Sequence, residues 1–360
     1  MARFTKIALL VLVGIAAFGR VTAPVAGAGE TTPALTSIGQ LTFAPDGTLY
    51  AADTNAATIY ALDLGANASG ATAGTANVAG LDQKLAAMLG TGAADVQIAD
   101  LAIHPKSHNA FLSVMRGKGT DAKPVLVRVD GSGKIDLIAN ESLKATSVTL
   151  PNPTGAGGRN GKETITKMAY TNGRLWVAGL SNEEFASKLW SVPYPFTKAD
   201  GGTSVEIYHG NHQQLETRSP VYAFIPYAIN NQPYIIGAYL CTPLVKFPVS
   251  SLTSGQKFRG TTIAELGAGN RPIDMILYQK NGKEFLLMSN TSRGVMKIPT
   301  SDFGSAAPIT TPVTSETGGV PYEKVAALTG IQQLDKLDAT HVVVIASANG
   351  GLNLTASELP

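Results

Sequence analysis

Apolar residues along this chain come in short alternating bursts, and the bursts come in groups of three. In the clearest group, Leu41-Thr-Phe-Ala-Pro-Asp-Gly-Thr-Leu-Tyr-Ala-Ala-Asp-Thr-Asn-Ala-Ala-Thr-Ile-Tyr-Ala-Leu62, an apolar strand leads through a Pro-Asp-Gly turn to a second strand ending in small residues. A third strand follows a tight hairpin. Further copies begin at Leu101, Met168, Phe224, Met275 and Ile331, so the unit recurs every 50 to 70 residues. Repeats of this period predict an all-β chain folded as a six-bladed β-propeller.

Second strands are expected at 49–52, 110–113, 175–179, 234–238, 285–289 and 341–347, and each ends in Ala, Gly or Ser. Small residues suit blades that converge on an axis, where large side chains collide. Third strands follow at 58–62, 125–129, 188–192, 244–248, 295–298 and 352–354, and the clearest fourth strands are 204–208 and 262–266. The last blade has room for three strands before Pro360, and 31–36 is left over ahead of the first blade. The expectation is that this N-terminal strand closes the ring by supplying the missing edge, since an open strand edge invites aggregation. Leu81, Leu85, Ala86 and Leu89 share one helical face, which predicts a short helix over 81–89. The Gly- and Pro-rich stretch 149–162 reads as a long surface loop.

The first 28 residues differ from the rest. Arg3 and Lys6 precede an apolar run from Ile7 to Phe18, and the small-residue stretch Ala23 to Ala28 follows. That layout is a secretory signal peptide, and twelve apolar residues fall short of the roughly 20 that span a bilayer. The expectation is therefore a signal segment at 1–28 and one propeller domain at 29–360, periplasmic or secreted, with no membrane span after cleavage. Cleavage removes Arg3, Lys6 and Arg20 and no acidic residue, taking the formal charge from +2 to −1. A near-neutral surface lacks the basic excess that phosphate-backbone binding requires, so nucleic acid is not an expected partner. The single cysteine, Cys241, excludes an intramolecular disulfide, and the absence of Cys-x-x-Cys-His excludes covalent c-type haem.

The segment Phe43-Ala-Pro-Asp-Gly-Thr-Leu-Tyr-Ala-Ala-Asp-Thr-Asn55 resembles the blade signature of NHL-repeat propellers. Over nearly all of the mature chain the repeat layout is similar to the wider six-bladed group that includes gluconolactonase-like enzymes. The resemblance implies a fold that serves binding proteins and enzymes alike. Gluconolactonase-like propellers hold a divalent cation over the channel with carboxylate and amide ligands. By residue type Asp274, Asn290 and Asp100 suit that role, while Gln40 stands where that family is expected to bring a glutamate.

Candidate chemistry gathers where the loops enter the innermost strands. The residue before the first core position of each blade reads Gln40, Asp100, Lys167, Ala223, Asp274 and Gly330, which aims carboxylates, an ammonium and an amide at one narrow channel. They bind a ligand there, or Lys167 simply neutralises Asp100. Asp53 and Asn290 occupy matching places after second strands, where Asx side chains bind ligand or brace the turn. Arg218 and Arg271 each stand just before an inner strand, in Arg-Ser-Pro and Asn-Arg-Pro, and a guanidinium pair at one channel mouth favours an anionic ligand. His209, His212 and Cys241 fall on one face by topology and suit zinc or copper. No Gly-x-Ser-x-Gly nucleophile elbow is present. Three functions follow as expectations: a propeller that binds a small molecule or protein partner on its loop face, a divalent-metal-dependent lactonase-type hydrolase using the channel carboxylates, and a structural component of an envelope assembly.

Overall fold

The computed structural model describes residues 30–69, 77–155 and 161–360; the expected signal segment at 1–28 lies outside them. The described residues form six largely antiparallel sheets, one for each repeat, and together they are a six-bladed β-propeller. Numbered by their inner strands, the blades begin at Leu41–Phe43, Val96–Ile103, Lys167–Thr171, Ala223–Ile229, Pro272–Lys280 and Ile331–Lys336. The short-period alternation forms strands because one face of each sheet packs on the next blade while the other face packs on the previous one.

Around the ring the blades do not follow chain order. Blade 1 shares a core with blade 2 through Leu41, Leu49, Phe111 and Leu126, and a second core with blade 3 through Tyr50, Ile59, Val177 and Trp190. Blades 3 and 4, 4 and 5, and 5 and 6 share one core each. The sixth core joins blade 6 to blade 2, with Leu101, Leu112, Val343 and Ile345 in one cluster. The ring therefore reads 2, 1, 3, 4, 5, 6. The chain shows how this arises. Blade 1 lays down Leu41–Phe43, Leu49–Asp53 and Thr58–Asp63, departs to build all of blade 2, and returns as Lys144–Thr149 to form the outer edge of blade 1. Thr58 pairs with Thr149 and Asp63 with Lys144 in that returning strand. Blade 2 is thus an insertion between the third and fourth strands of blade 1.

Closure is achieved differently from the sequence expectation. Blade 6 has three strands, and its outer strand Gly351–Glu358 is covered by the segment that leads into blade 2. Val78 bridges Leu354, Gly80 N–H donates to Asn353 Oδ1 at 2.9 Å, and Asp82 Oδ1 accepts from Leu352 N–H at 3.0 Å. The helix Leu81–Leu89 forms where its apolar face predicts, with Leu81, Leu85 and Ala86 buried against blades 2 and 6. Gly90 in the left-handed conformation ends it. The N-terminal segment expected to close blade 6 instead lies on blade 1, where Thr31 pairs with Ala145. Asp53 holds it there by accepting hydrogen bonds from Thr36 and Ser37. With blade 2 as its neighbour, blade 6 meets the 77–89 segment and never approaches residue 31.

Candidate functional site

Inner strands from all six blades line a central channel of ≈ 450 Å³. At one end Lys167 Nζ stands 2.5 Å from Asp274 Oδ1 and 3.6 Å from Asp100 Oδ1. Register shifts at Ile98/Asp100 and Pro272/Met275 explain how these carboxylates leave the regular alternation, since a bulge re-aims the side chain it carries. Each also ties its blade to the next: Asp100 Oδ2 accepts from Leu41 N–H at 2.8 Å, and Asp274 Oδ2 from Leu334 N–H at 2.9 Å. Asp335, which the sequence reading missed, does the same across the closing interface and accepts from Ile103 N–H at 2.7 Å. A similar shift at Ile331/Gln333 precedes it.

The electrostatics match this placement. Burial pushes the Asp100 carboxyl up to about 7, against the opposing pull of Lys167, and pushes Asp335 up to about 6 against its backbone hydrogen bonds. Burial alone would lower Lys167, but the carboxylates of Asp100 and Asp274 outweigh it and raise the ammonium's pKa. The cationic centre between Asp100 and Asp274 is therefore the protein's own. A divalent ion held by those two residues, as the gluconolactonase resemblance implies, meets the Lys167 charge at close range. Asp100, Lys167 and Asp274 act as an inter-blade clasp.

Beyond this clasp lies a mouth pocket of ≈ 480 Å³ lined by Gln40, Lys162, Glu163, Ile165, Thr166, Tyr222 and Arg271. Gly179, behind this lining, lets the 163–166 segment pack close. Leu180 N–H donates to Glu163 O and Thr166 N–H to Ala178 O, and a Cβ at residue 179 would overlap the Thr164 carbonyl, so only glycine admits this close approach. Glu163 is thereby set beside Tyr222, whose hydroxyl donates to Glu163 Oε1 at 2.5 Å. The Arg271 guanidinium lies over the Tyr222 ring at 5.4 Å from its centroid. On the far side of the same Glu163–Tyr222 wall is a larger cleft of ≈ 790 Å³ that includes Arg218, Glu183, Glu184 and Glu216. The two arginines do precede inner strands, as the sequence indicates, yet they line separate pockets.

Asp53 and Asn290 are structural at the atomic level. Both oxygens of Asp53 are occupied by Thr36, Ser37 and the Ala56 amide, and the side chain is fully buried. Asn290 accepts from Asn270 Nδ2 at 2.9 Å and donates to Gly294 O at 3.1 Å, bracing its hairpin. The polar atoms of both side chains, expected to bind ligand, are thus all engaged within the protein.

His209 ends the fourth strand of blade 3, Thr203–His209, and a tight turn returns as Gln214–Glu216. This hairpin stacks the His209 and His212 rings with centroids 3.7 Å apart. Both Nδ1 atoms meet Glu216 Oε1, at 3.0 Å and 2.6 Å. Burial would raise the Glu216 carboxyl, but hydrogen bonds from the two imidazoles outweigh it and hold it at about 2. Behind His209, Glu265 Oε2 stands 3.6 Å from Nε2, and burial raises that carboxyl above its usual range. Cys241 does not join the group. It sits in the turn after Gln232–Ala238 with φ 61°, and the third ligand-type residue beside the histidines is Glu216. The signal for Glu216 was its i+4 spacing from His212 at the far side of a hairpin; nothing local marked Glu265.

Comparison with known proteins gives little further. No family model matches the chain, and no curated protein matches it. Among solved structures, the apo form of the soluble aldose sugar dehydrogenase from Escherichia coli is 11% identical with a TM-score of 0.35, covering 90% of this chain and 97% of that one. A putative oxidoreductase (glucose dehydrogenase) from Thermus thermophilus is 12% identical with a TM-score of 0.36, covering 91% and 99%. The Dos1 propeller is 10% identical with a TM-score of 0.32, covering 89% and 67%. The six blades of this chain define its class by themselves, and likenesses at this level say nothing of its chemistry.

Proposed function

We propose that this propeller works outside the cytoplasm, in the periplasm or as a secreted protein, and binds a small carboxylate-bearing molecule in the mouth pocket beside Arg271. One observation carries the reading. Arg128, Arg174, Arg259 and Arg293 each hydrogen-bond through their guanidinium to a neighbouring residue. Arg116, Arg218 and Arg271 make no such bond among the described residues, and of these three Arg271 alone lies over an aromatic ring, that of Tyr222. Lys162, in the same pocket, has no ion pair among the described residues. The one acid there, Glu163, is engaged by the Tyr222 hydroxyl. A planar guanidinium placed over an aromatic ring and without another side-chain partner suits bidentate capture of a carboxylate.

Arg218 is assigned no part in this site, because its cleft carries Glu183, Glu184 and Glu216 and is the more acidic of the two. The test is a thermal-shift screen of sugar acids and simple carboxylates on the mature protein and on Arg271→Ala. The reading expects stabilisation of the parent by at least one carboxylate and none of the variant. A parent that responds to no carboxylate overturns it.

A further inference from the structure

We propose that the His209–Glu216 hairpin is a binding site for a zinc-class divalent transition metal, with His209 Nδ1, His212 Nδ1 and a Glu216 carboxylate oxygen as ligands. These are the only three or more His, Cys, Asp or Glu residues among the described ones whose ligand atoms converge, all within 4.8 Å of one another. Ligand atoms around a tetrahedral zinc stand roughly 3.3 Å apart, given bonds of about 2.0 Å. The Glu216 contacts, at 3.0 Å and 2.6 Å, need only a small outward shift to admit the ion. The ring stack presents both Nδ1 atoms to a single oxygen, an arrangement that a shared cation satisfies better than two separate protons.

A second observation is independent of the cluster. His209 and Glu265 are fully buried, and His209 Nε2 and Glu265 Oε2 each lack a hydrogen-bond partner while standing 3.6 Å apart. Glu265 is already fixed through its other oxygen, which accepts from Gly210 N–H at 2.6 Å. A metal-ligating histidine characteristically donates its remote ring N–H to a carboxylate, which fixes the tautomer and turns the other nitrogen's lone pair to the metal. Glu265 occupies that position. With the ion in place it accepts the Nε2–H of His209 while Nδ1 ligates.

Three protein ligands leave a fourth coordination position. His212 is partly exposed and Glu216 lines the acidic cleft that also holds Arg218, so the open position faces a solvent-filled space. Two imidazoles and one carboxylate favour zinc over calcium or magnesium, which take oxygen ligands. Zinc takes unprotonated imidazoles and an ionised carboxylate, so its affinity falls as the pH is lowered.

The experiment is isothermal titration of chelator-stripped full-length protein with zinc chloride, alongside His212→Ala, Glu216→Gln and Glu265→Gln, with the melting temperature of each recorded. His212 is exposed enough that its loss leaves the fold intact. The parent is expected to take one zinc per chain and gain melting temperature with it. His212→Ala and Glu216→Gln lose stoichiometric binding, and Glu265→Gln keeps one site weakened about 10- to 100-fold. Cobalt should give visible d–d absorption of a four-coordinate site in the parent and in Glu265→Gln at higher metal concentration, but not in His212→Ala or Glu216→Gln, and Cys241 alkylation should be unaffected by zinc. A folded parent that takes up no zinc, or a His212→Ala protein that binds it as well as the parent, overturns the proposal. Equal stabilisation by calcium overturns the assigned metal class.

Discussion

The Asp335 carboxylate accepts the amide hydrogen of Ile103 at 2.7 Å across 232 residues of chain, and this bond spans the interface where the ring closes. Gln333 Nε2 donates to Ala99 O at 3.0 Å beside it. Replacing Asp335 with Ala leaves the buried Ile103 N–H without an acceptor and should cost roughly 1 to 3 kcal/mol. Asp335→Asn keeps an acceptor and should cost less. Urea denaturation of the two variants checks the order; equal losses would mean that the bond itself does not matter.

The clasp carries a pH dependence whose sign is fixed. Asp100 and Asp335 have folded pKa values of about 7 and about 6, above the ordinary carboxylate range, so the folded state holds protons that the unfolded chain gives up. Their contribution to stability is fully present below the unfolded pKa, about 4, and is lost progressively as pH rises from there through about 6 for Asp335 and about 7 for Asp100. Glu216 and Asp338, both lowered to about 2, act oppositely and only below the usual carboxylate range, so they leave the window from about pH 5 to 8 unaffected. Asp100→Asn should flatten the decline in unfolding free energy between about pH 5 and 7. An unchanged slope would show that Asp100 is not the titrating group.

Lys167 carries the opposite charge of the clasp. Its substitution by Met strands Asp100 and Asp274 in the channel wall, and breaking a buried pair in this way costs about 3 to 5 kcal/mol. Adding Asp274→Asn to Lys167→Met should recover part of the loss. No recovery in the double variant would mean that packing, and not charge, makes Lys167 necessary.

Closure of blade 6 by the 77–89 segment gives a further expectation. Leu85 is fully buried between blades 2 and 6, so Leu85→Ala should lower stability by about 2 to 5 kcal/mol. Thr31→Pro removes one edge hydrogen bond to Ala145 and should cost about 1 kcal/mol or less. Reversal of that ranking in melting temperature would restore the N-terminal strand as the closing element.

The blades were legible because each repeat carries its own alternation and turn residues, as Pro45-Asp46-Gly47 does in blade 1. The helix at Leu81–Leu89 was legible for the same local reason. Ring order was not, because the excursion between Asp63 and Lys144 has the same repeat spacing whether blade 2 follows blade 1 or is inserted within it. Asp100, Lys167 and Asp274 were found by their shared place in the repeat, and they do meet; Asp335 lies deeper in its inner strand than that rule looks. Glu163 and Tyr222 escaped notice because only the close approach at Gly179 brings the 163–166 segment into the site. Asp53 and Asn290 share a position for a reason of turn geometry, which sequence spacing alone does not separate from binding.

The proposed binding site is tested most directly by calorimetry with the carboxylate that gives the largest thermal shift, on the parent, Arg271→Lys and Arg218→Lys. Lysine keeps the charge but not the planar fork. The account predicts that Arg271→Lys weakens binding by roughly 1 to 3 kcal/mol, about 5- to 150-fold, while Arg218→Lys binds as the parent does. Parent-like affinity in Arg271→Lys, or an equal loss in both variants, would contradict a carboxylate site centred on Arg271.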